Sequence, residues 1–370
     1  MTESKFNEQK KTVHCRDLPL VSIIITSYNY EKFLPRAIDS ALQQTYPKKE
    51  VIVVDDGSTD NSPQIIKGYG NQILPVFQEN GGVVSATNAG FLASRGEIIF
   101  FLDADDIFFP HKVETMVNYF LQVMPQTPDA LILHRLKMTT DTDDKNSVLV
   151  KIPNTLCALD GKKKNGSFVK LSDPETAYQY IQKWRFFYFN APPTSSFSMT
   201  RSLANKIFPL PDNRVIPQDA FLIHAARLLG TVYGASQVLC TYFIHGKNFT
   251  LSHRWPGKVM KGDHTLDNFL NNILDKMNKK RVASFFESRQ AQIFYKHAGL
   301  TKDLLKLAWK IPTNYFCWET MWFSIQTLWH CLRSALGIKK SYRNKREKLL
   351  SKKTLTTQHH QQQSSGAKGD

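Results

Sequence analysis

The sequence predicts an α/β fold in which a mostly parallel sheet is covered by helices on both faces. Between Leu20 and Met124, short apolar runs rich in β-branched residues alternate with amphipathic segments. The apolar runs are continuous, which is typical of parallel strands buried on both faces. Such strands present their carboxyl ends at one edge of the sheet, where ligands of these folds bind.

The predicted elements alternate along this region. The strands are predicted at Leu20–Ile25, Val51–Val54, Leu74–Phe77 and Ile98–Leu102. The helices are predicted at Phe33–Gln43, from near Ser62, at Val84–Ser94 and at His111–Met124. Pro35 falls in the first turn of the first helix, where a missing backbone N–H breaks no helical hydrogen bond.

The pattern weakens after Met124. Residues 138–170 are polar and are predicted to form an insertion or a long loop. Helices are predicted at 174–185 and 219–229, a strand at 238–244, and helical structure from Asp263 onward. We therefore expect four parts: a disordered N-terminus over 1–19, an α/β domain over 20–255, a helical C-terminal region over 256–350 and a disordered tail over 351–370.

Cysteine usage and charge narrow the class of protein. The five cysteines are scattered and show no Cys-x-x-Cys spacing, which argues against a zinc site or a disulfide framework and favours a reducing compartment. The polar N-terminal residues predict no signal peptide, so we expect a cytoplasmic protein. The formal net charge is +16, with a dense basic cluster between Lys339 and Lys353. This cluster is either a solvated tail or a contact with the inner face of a membrane.

An aromatic segment precedes the basic cluster. Residues 304–338 contain many Trp, Phe and Leu residues, but charged residues and Pro312 keep every stretch below the ~20 apolar residues of a spanning helix. Trp beside Lys and Arg is typical of a helix that lies in a membrane interface. The alternative is that these aromatic side chains pack on the α/β domain as ordinary core.

A pair of carboxylates ends the second predicted strand. Asp55 and Asp56 precede Gly57, which allows a tight turn and the close approach of a ligand. Aspartate accepts hydrogen bonds from a base or a ribose hydroxyl. The same sequence also forms turns and helix caps without any ligand.

Three more carboxylates follow the fourth predicted strand within four residues, at Asp103, Asp105 and Asp106. A strand-end Asp-x-Asp suits a hard divalent cation, which prefers oxygen ligands. A capped turn is the alternative, but adjacent like charges repel one another unless a cation neutralises them.

Two single residues complete the candidate site. Asp219 opens a predicted helix, and His245 follows the strand predicted at 238–244. A lone aspartate at this position is commonly an N-cap, and a lone histidine is commonly structural. Neither residue identifies a function alone.

The order and spacing of the motifs resemble glycosyltransferase family 2, whose members are inverting enzymes with the GT-A fold, a Rossmann-like nucleotide-binding α/β fold. The matching segments are Thr26–Asn29, Asp55–Asp60, Asn80–Gly82 with Asn88–Gly90, and Asp103–Asp106. The resemblance is strong over about residues 20–110 and extends more weakly through Gln218, Asp219 and His245. Four motifs in register are far more specific than one.

The resemblance implies a donor-binding role for six residues: Thr26, Tyr28, Asp55, Asp56, Asn88 and Asp103. Thr26, Tyr28 and Asp55 are expected at the nucleotide base, with the Tyr28 ring packed on its face. Asp103 is expected to reach the ribose. Asp56 and Asn88 complete the expected donor site.

The resemblance also implies a metal and a base. Asp105, with His245, is expected to bind Mn²⁺ or Mg²⁺ on the donor diphosphate, where the cation stabilises the charge of the leaving group. Asp219 is expected to accept the proton of the attacking hydroxyl. The implied enzyme is hexosyltransferase-like. It moves a sugar from a nucleotide-sugar, expected to be a UDP-sugar, onto a glycan or lipid-linked acceptor in polysaccharide or glycolipid synthesis for the cell envelope.

Two positions depart from the family pattern. Thr87 stands where the family often has Arg, and Gln218 stands where Glu often precedes the base. Both departures remove a charge near the donor, so the identity of the donor stays open.

Two other functions compete with this interpretation. A nucleotidyltransferase would have a Gly-rich phosphate loop with a basic residue after the first strand, where this chain has Thr26–Asn29. A non-enzymatic protein that binds a membrane or nucleic acid would account for the net charge. The chain contains no recognisable nucleic-acid-binding motif, so we expect no nucleic acid partner.

Overall fold

The computed structural model describes residues 18–140, 148–150, 168–184, 192–212, 217–245 and 257–281. The described residues belong to a unit that spans 1–288, and residues 289–370 form a second unit. The aromatic segment, the basic cluster and both expected disordered ends lie outside the described residues, so the expected domain boundaries stay predictions. Within the described part, no helix has the length and apolar character needed to cross a membrane.

The strands are β1 (Val21–Ser27), β2 (Lys49–Asp56), β3 (Leu74–Gln78), β4 (Ile98–Asp103), β5 (Ile107–Phe108), β6 (Ala130–Thr139), β7 (Val148–Val150), β8 (Phe168–Ser172), β9 (Phe197–Thr200) and β10 (Thr231–Phe243). The helices are α1 (Leu34–Leu42), α2 (Ser62–Gly68), α3 (Val83–Ala93), α4 (Lys112–Val123), α5 (Pro174–Trp184), α6 (Arg201–Ile207), α7 (Gln218–Leu229) and α8 (Gly257–Lys276). Two 3₁₀ turns occupy Gly70–Gln72 and Thr194–Ser196.

The strands form one sheet in the order β3-β2-β1-β4-β9-β6-β10-β5, with β7 beside β6 and β8 beside β10. The first four strands are parallel, as predicted. β9 runs antiparallel to both β4 and β6, whereas β6 and β10 are parallel. The α/β fold is therefore confirmed, with a parallel half that holds β1 to β4 and a mixed half that holds the rest.

The central strand β1 explains why its sequence is apolar without interruption. Ile23 and Ile25 belong to the core on one face of the sheet, together with Leu34 of α1. Ile24 belongs to the core on the other face, together with Val84 of α3. Successive side chains of a strand point to opposite faces, so a strand covered on both sides needs apolar residues at every position.

The second half of the sheet differs from its prediction. β6 was not predicted, because His134 and Arg135 interrupt its apolar pattern; His134 is nevertheless buried. β10 begins at Thr231 rather than Val238, and its pairing with β6 shifts register between Ala235 and Val238. A strand with such an irregularity loses the regular alternation that identifies strands in a sequence.

A close approach between α3 and the sheet gives a stability test. A Cβ atom on Gly90 would lie 2.4 Å from Cγ2 of Ile24 and 3.1 Å from Cγ2 of Val54. We expect Gly90→Ala to lower the free energy of unfolding by about 1–3 kcal/mol through overpacking. Gly68→Ala is the matched control, since nothing lies within 4 Å of its Cβ position. In urea unfolding the control should keep or raise stability by up to about 1 kcal/mol. Equal stability of the two variants would contradict this packing.

Candidate active site

The parallel half of the sheet gathers three predicted site residues at one edge. β1 lies between β2 and β4, and Thr26 pairs with Val54 on one side and Asp103 on the other. The next residue of β1, Ser27, pairs with Asp55. The carboxyl ends of the three strands therefore bring Thr26, Asp55 and Asp103 together, at the edge where such sheets bind ligands.

Asp55 keeps one acceptor atom available at this edge. Its side chain is 3% exposed, and Oδ2 accepts a hydrogen bond from the Ser58 backbone N–H at 3.1 Å. Among the described residues, no donor reaches its buried Oδ1. Tyr28, which follows β1 directly, is 44% exposed. A buried acceptor and an exposed ring at one strand edge suit a planar base that carries an N–H group.

Asn29 joins the loops that follow β1 and β2. Its backbone has a positive φ of 58°, and its Oδ1 accepts from the backbone N–H of Thr59 at 2.7 Å and of Asp60 at 3.3 Å. Its own backbone N–H donates to the Ser58 hydroxyl at 2.9 Å. Asparagine tolerates this left-handed conformation better than most residues. These bonds fix the loop that carries the neighbouring Tyr28.

Asp56 is engaged by the loop before α3. Its carboxylate accepts from the backbone N–H groups of Gly81 and Gly82, both at 2.8 Å, and from the Gln78 amide at 2.7 Å. Gly57, which follows it, has a φ of 73°, and a Cβ there would lie 2.7 Å from the Asn80 nitrogen. Asp56 thus shapes the loop, and its direct contact with a nucleotide stays a prediction.

Asn88 has a similar structural contact. Its Nδ2 donates to the Leu210 carbonyl at 2.9 Å, and its Oδ1 accepts from the Leu210 N–H at 2.8 Å. The neighbouring Thr87 is buried and donates to the Val83 carbonyl at 2.7 Å. The role of Asn88 in donor binding therefore stays a prediction, while the structure shows that it joins α3 to the segment after α6.

Burial and mutual repulsion govern the carboxylates after β4. Burial raises the pKa of Asp103, the charges of Asp105 and Asp219 raise it further, and the Gln218 amide at 3.3 Å opposes the rise. Burial likewise raises the pKa of Asp106, which accepts from the Phe243 N–H at 3.1 Å. Each buried negative charge disfavours the next one.

The two residues expected to bind the metal, Asp105 and His245, lie beside each other, and their role as ligands stays a prediction. Nε2 of His245 lies 2.7 Å from Oδ2 of Asp105, and both side chains are largely buried. The Phe33 ring stacks on the imidazole with 4.4 Å between centroids. Tyr30 approaches it edge-on at 5.6 Å and hydrogen-bonds Asp105; burial, then the negative charge of Asp105, raises the pKa of Tyr30. Sequence reasoning did not identify Tyr30 or Phe33, since neither belongs to an acidic motif.

Asp219 lies in the first turn of α7. Its Oδ1 accepts from the Ala220 N–H at 2.7 Å, and burial raises the pKa of its carboxyl to about 7. The preceding Gln218 donates from one amide nitrogen to Asp103 and to the Thr194 hydroxyl. The structure therefore connects Asp219 with Asp103, although they are far apart in sequence.

Comparisons with known proteins agree with this geometry. The family described as glycosyl transferase family 2 matches residues 22–153. The chain is 37% identical over 238 residues to an uncharacterised glycosyltransferase of Nostoc sp., covering 63% of this chain and 67% of that protein. It is 42% identical over 112 residues to chondroitin synthase of Pasteurella multocida, covering 30% of this chain and 12% of the synthase. Of the solved structures, S. aureus TarS 1–349 in complex with UDP gives a TM-score of 0.47 at 17% identity, covering 80% of this chain and 82% of that one.

The family match and the 37% identical relative, together with an acidic site at the carboxyl edge of an α/β sheet, define the class as a glycosyltransferase. The chain belongs to glycosyltransferase family 2. The resemblance, the GT-A fold class and the enzyme class predicted from the sequence are confirmed. Neither the nucleotidyltransferase nor the non-enzymatic basic protein is supported.

The bonds of Asn29 lead to a prediction about nucleotide affinity. Asn29→Gly tolerates the positive φ but removes the side-chain acceptor, so the loop carrying Tyr28 should loosen. We expect the affinity for UDP to fall about tenfold, because one hydrogen bond between uncharged groups contributes about 1 kcal/mol. Asn278→Gly is the matched control, because Asn278 also has a positive φ of 52° but lies beyond α8. Calorimetric titration with UDP should find the control unchanged. Equal affinities of the two variants would show that Asn29 does not shape the site.

Proposed function

We propose that this enzyme transfers a sugar, with inversion, from a UDP-sugar to a hydroxyl of its acceptor. The observation that carries the proposal is the environment of Asp219. Its carboxyl has a pKa of about 7 because it is buried, and Gln218 joins the start of its helix to Asp103 at the strand ends. A base with a pKa near neutrality is well matched to accepting a proton from an attacking alcohol.

The donor base is proposed to lie against Tyr28 and Asp55. Among the described residues, no group donates a hydrogen bond to Oδ1 of Asp55. This acceptor favours a base with an imide N–H, such as uracil. Thr26 lies on the strand between the two acidic ends. Asp103 is proposed to accept a hydrogen bond from a ribose hydroxyl. Asp56 and Asn88 support these contacts by holding the loop before α3 and the segment at Leu210.

A divalent cation, Mn²⁺ or Mg²⁺, is proposed to bind Asp105 and His245. Their facing oxygen and nitrogen atoms are suitable ligands, and the repulsion that raises the pKa of Asp103 favours a cation nearby. Within the described residues, no group of three or more His, Cys, Asp or Glu side chains is arranged to hold a metal ion. The donor diphosphate must then supply further ligands. When bound there, the cation would neutralise charge on the leaving nucleoside diphosphate.

The proposed reaction needs one base and no covalent intermediate. The acceptor hydroxyl attacks the anomeric carbon on the side opposite the nucleotide, and this in-line attack inverts the configuration. Asp219 accepts the hydroxyl proton as the new bond forms. Gln218 and Thr194 hold the start of α7, so the carboxylate keeps its place relative to Asp103.

The acceptor is proposed to be a glycan or a lipid-linked glycan in polysaccharide or glycolipid synthesis. One similar protein is named chondroitin synthase, and chondroitin is a polysaccharide. The net charge of +16 supports a peripheral contact with the inner face of a membrane, where a lipid-linked acceptor would lie. In this proposal residues 20–255 form the catalytic domain, and the aromatic segment 304–338 makes the membrane contact together with the basic cluster that follows it.

The cation assignment predicts a coupling between metal and nucleotide. In the wild-type enzyme, Mn²⁺ should raise the affinity for UDP at least about tenfold, a usual size for coupled sites. In Asp105→Ala this enhancement should vanish, while the affinity without Mn²⁺ stays similar. Asp129→Ala, which alters an acidic residue bonded to Ser202 and Lys206 away from the site, is the control. Calorimetry measures all three proteins. If Mn²⁺ raised the UDP affinity of Asp105→Ala as much as that of the wild type, Asp105 would not be a ligand of the metal.

The base assignment predicts both a rate and a pH profile. Asp219→Asn should keep its affinity for UDP and lose about a hundredfold or more in turnover, because an amide cannot accept the proton. A base works when ionised, and the pKa of Asp219 is about 7. In the wild-type enzyme kcat/KM should therefore fall about tenfold for each pH unit below 7, a decline absent from the variant. Near-wild-type turnover in the variant would rule out Asp219 as the base.

A further inference from the structure

A buried lysine lies beneath the acidic site and has no part in the proposed chemistry. Lys112 is the first residue of α4, and 0% of its surface is exposed. Burial lowers the pKa of its amine to about 7. A cation is also disfavoured at a helix N-terminus, where the helix dipole is positive. Neither burial nor helix position favours a lysine here, so its specific partners must account for it.

Two partners stabilise the Lys112 amine. Nζ donates to the Ser195 carbonyl at 2.6 Å and lies 3.4 Å from the centroid of the Phe108 ring. The first contact is a charge-assisted hydrogen bond, and the second is a cation–π contact in a buried site. Both partners are fixed by the sheet, since Phe108 belongs to β5 and Ser195 belongs to the turn that leads directly into β9.

The partner of Lys112 belongs to a turn that touches both halves of the site. Ser195 is the middle residue of the buried 3₁₀ turn Thr194–Ser196. Its hydroxyl accepts from the Asp103 backbone N–H at 3.0 Å, and Thr194 Oγ1 accepts from the Gln218 amide at 3.0 Å. One turn is therefore bonded to the acidic motif after β4 and to the start of α7, which carries Asp219.

The Ser195 hydroxyl also acts on Asp106. Burial raises the pKa of Asp106, and a hydrogen bond from the Ser195 hydroxyl opposes that rise. A serine hydroxyl can accept one hydrogen bond while it donates another, so both contacts of Ser195 are compatible. The turn thus holds the acidic motif at two points, the backbone of Asp103 and the side chain of Asp106.

We propose that Lys112 is a positioning residue for sugar transfer: it holds the Ser195 carbonyl, and through the turn Thr194–Ser196 it fixes Asp103 relative to Asp219. This inference rests on the proposed function, in which Asp219 is the base. A displacement of about 1 Å between a base and the reacting atoms can cost about a hundredfold in turnover. The proposed contacts with the nucleotide base lie on β1 and β2, and only the proposed ribose contact, that of Asp103, depends on the turn. Loss of Lys112 should therefore lower kcat more than it lowers nucleotide affinity.

The test compares Lys112→Met with Arg201→Met. Arg201 is a matched control, because it also bonds a backbone carbonyl, that of Gly96, and lies over an aromatic ring, that of Phe91 at 5.0 Å. It contacts the segment before β4, at the opposite end of that strand from Asp103. Both variants should unfold at a lower temperature than the wild type. A loss of stability alone would therefore not explain a difference in kcat between them.

The assay is UDP release from whichever of UDP-glucose, UDP-galactose and UDP-N-acetylglucosamine the wild-type enzyme hydrolyses fastest. Per folded enzyme, we expect kcat of Lys112→Met to fall at least about tenfold and that of Arg201→Met to stay within about twofold. Calorimetry should find UDP affinities within about threefold of wild type in both variants, since the proposed contacts of Tyr28 and Asp55 with the nucleotide base remain. Unchanged kcat in Lys112→Met, or an equal loss in both variants, would overturn the inference.

A second variant decides the matter if Lys112→Met does not fold. Ser195→Ala keeps the carbonyl that Lys112 binds and removes the hydroxyl that holds Asp103 and Asp106. It should also lose at least about tenfold in kcat with UDP affinity retained, and wild-type kcat would contradict the proposal. If the wild-type enzyme hydrolyses no nucleotide-sugar, the proposed function fails. Suppose instead that the wild-type enzyme hydrolyses a nucleotide-sugar and Asp219→Asn does not. If Ser195→Ala and Lys112→Met then match the wild type in kcat, the proposed function stands and only this inference fails.

Discussion

Asp103, Asp105 and Asp106 lie within four residues at the carboxyl end of β4, and their burial sets negative charges close together there. Burial and this repulsion raise the pKa of both Asp103 and Asp106. The surrounding protein offsets the cost in two ways. The Gln218 amide and the Phe243 N–H donate hydrogen bonds, and the charge of the Lys112 amine acts on Asp103 from nearby. These groups come from three separate elements, so the acidic site is also the point at which α7, β10 and α4 meet.

The same arrangement favours a cation and an anionic donor together. In the proposed site Asp105 and His245 are only two ligands, and a diphosphate would bring further oxygen atoms of the kind that a hard cation prefers. A site that is crowded with carboxylates repels a diphosphate unless the cation binds as well. In this proposal, metal and nucleotide-sugar affinities depend on one another. With its pKa at about 7, Asp219 is about half ionised at neutral pH and loses its charge below it.

Sequence pattern predicted the parallel half of the sheet because a strand covered on both faces needs a continuous apolar run, and β1 and β4 have one. It also placed Asp55, Asp103 and Asp105 at strand ends, where the structure has them. β6 was missed because its polar residues are buried by neighbours rather than solvated, as His134 shows. The hydrophobic pattern of a sequence reports only on neighbours along the chain, whereas the burial of β6 depends on residues that are distant in the sequence.

The contacts that organise the site could not be predicted from the sequence, because they also join residues that are far apart along the chain. Lys112 and Ser195 are 83 residues apart, and Asp103 and Gln218 are 115 apart. From sequence, Lys112 is an ordinary polar residue in the first turn of an amphipathic helix, and only the packing of β5 and β9 around it shows that it is buried. Asp56 and Asn88 belong to motifs of the family, but the motifs do not reveal their partners. Asp56 accepts from the backbone of Gly81 and Gly82, and Asn88 accepts from the backbone of Leu210.

The central claim is that the carboxyl edge formed by β1, β2 and β4 binds a nucleotide-sugar through its base. Hydrolysis of a panel of UDP-, GDP-, ADP- and CMP-sugars with Mn²⁺ present tests it most directly. The account predicts that UDP-sugars react at least about tenfold faster than ADP-sugars, because a buried carboxylate acceptor is left unpaired by a base without an imide N–H. It also predicts that Asp55→Ala removes most of this preference. Equal rates with UDP- and ADP-sugars, or an undiminished preference in Asp55→Ala, would contradict the account.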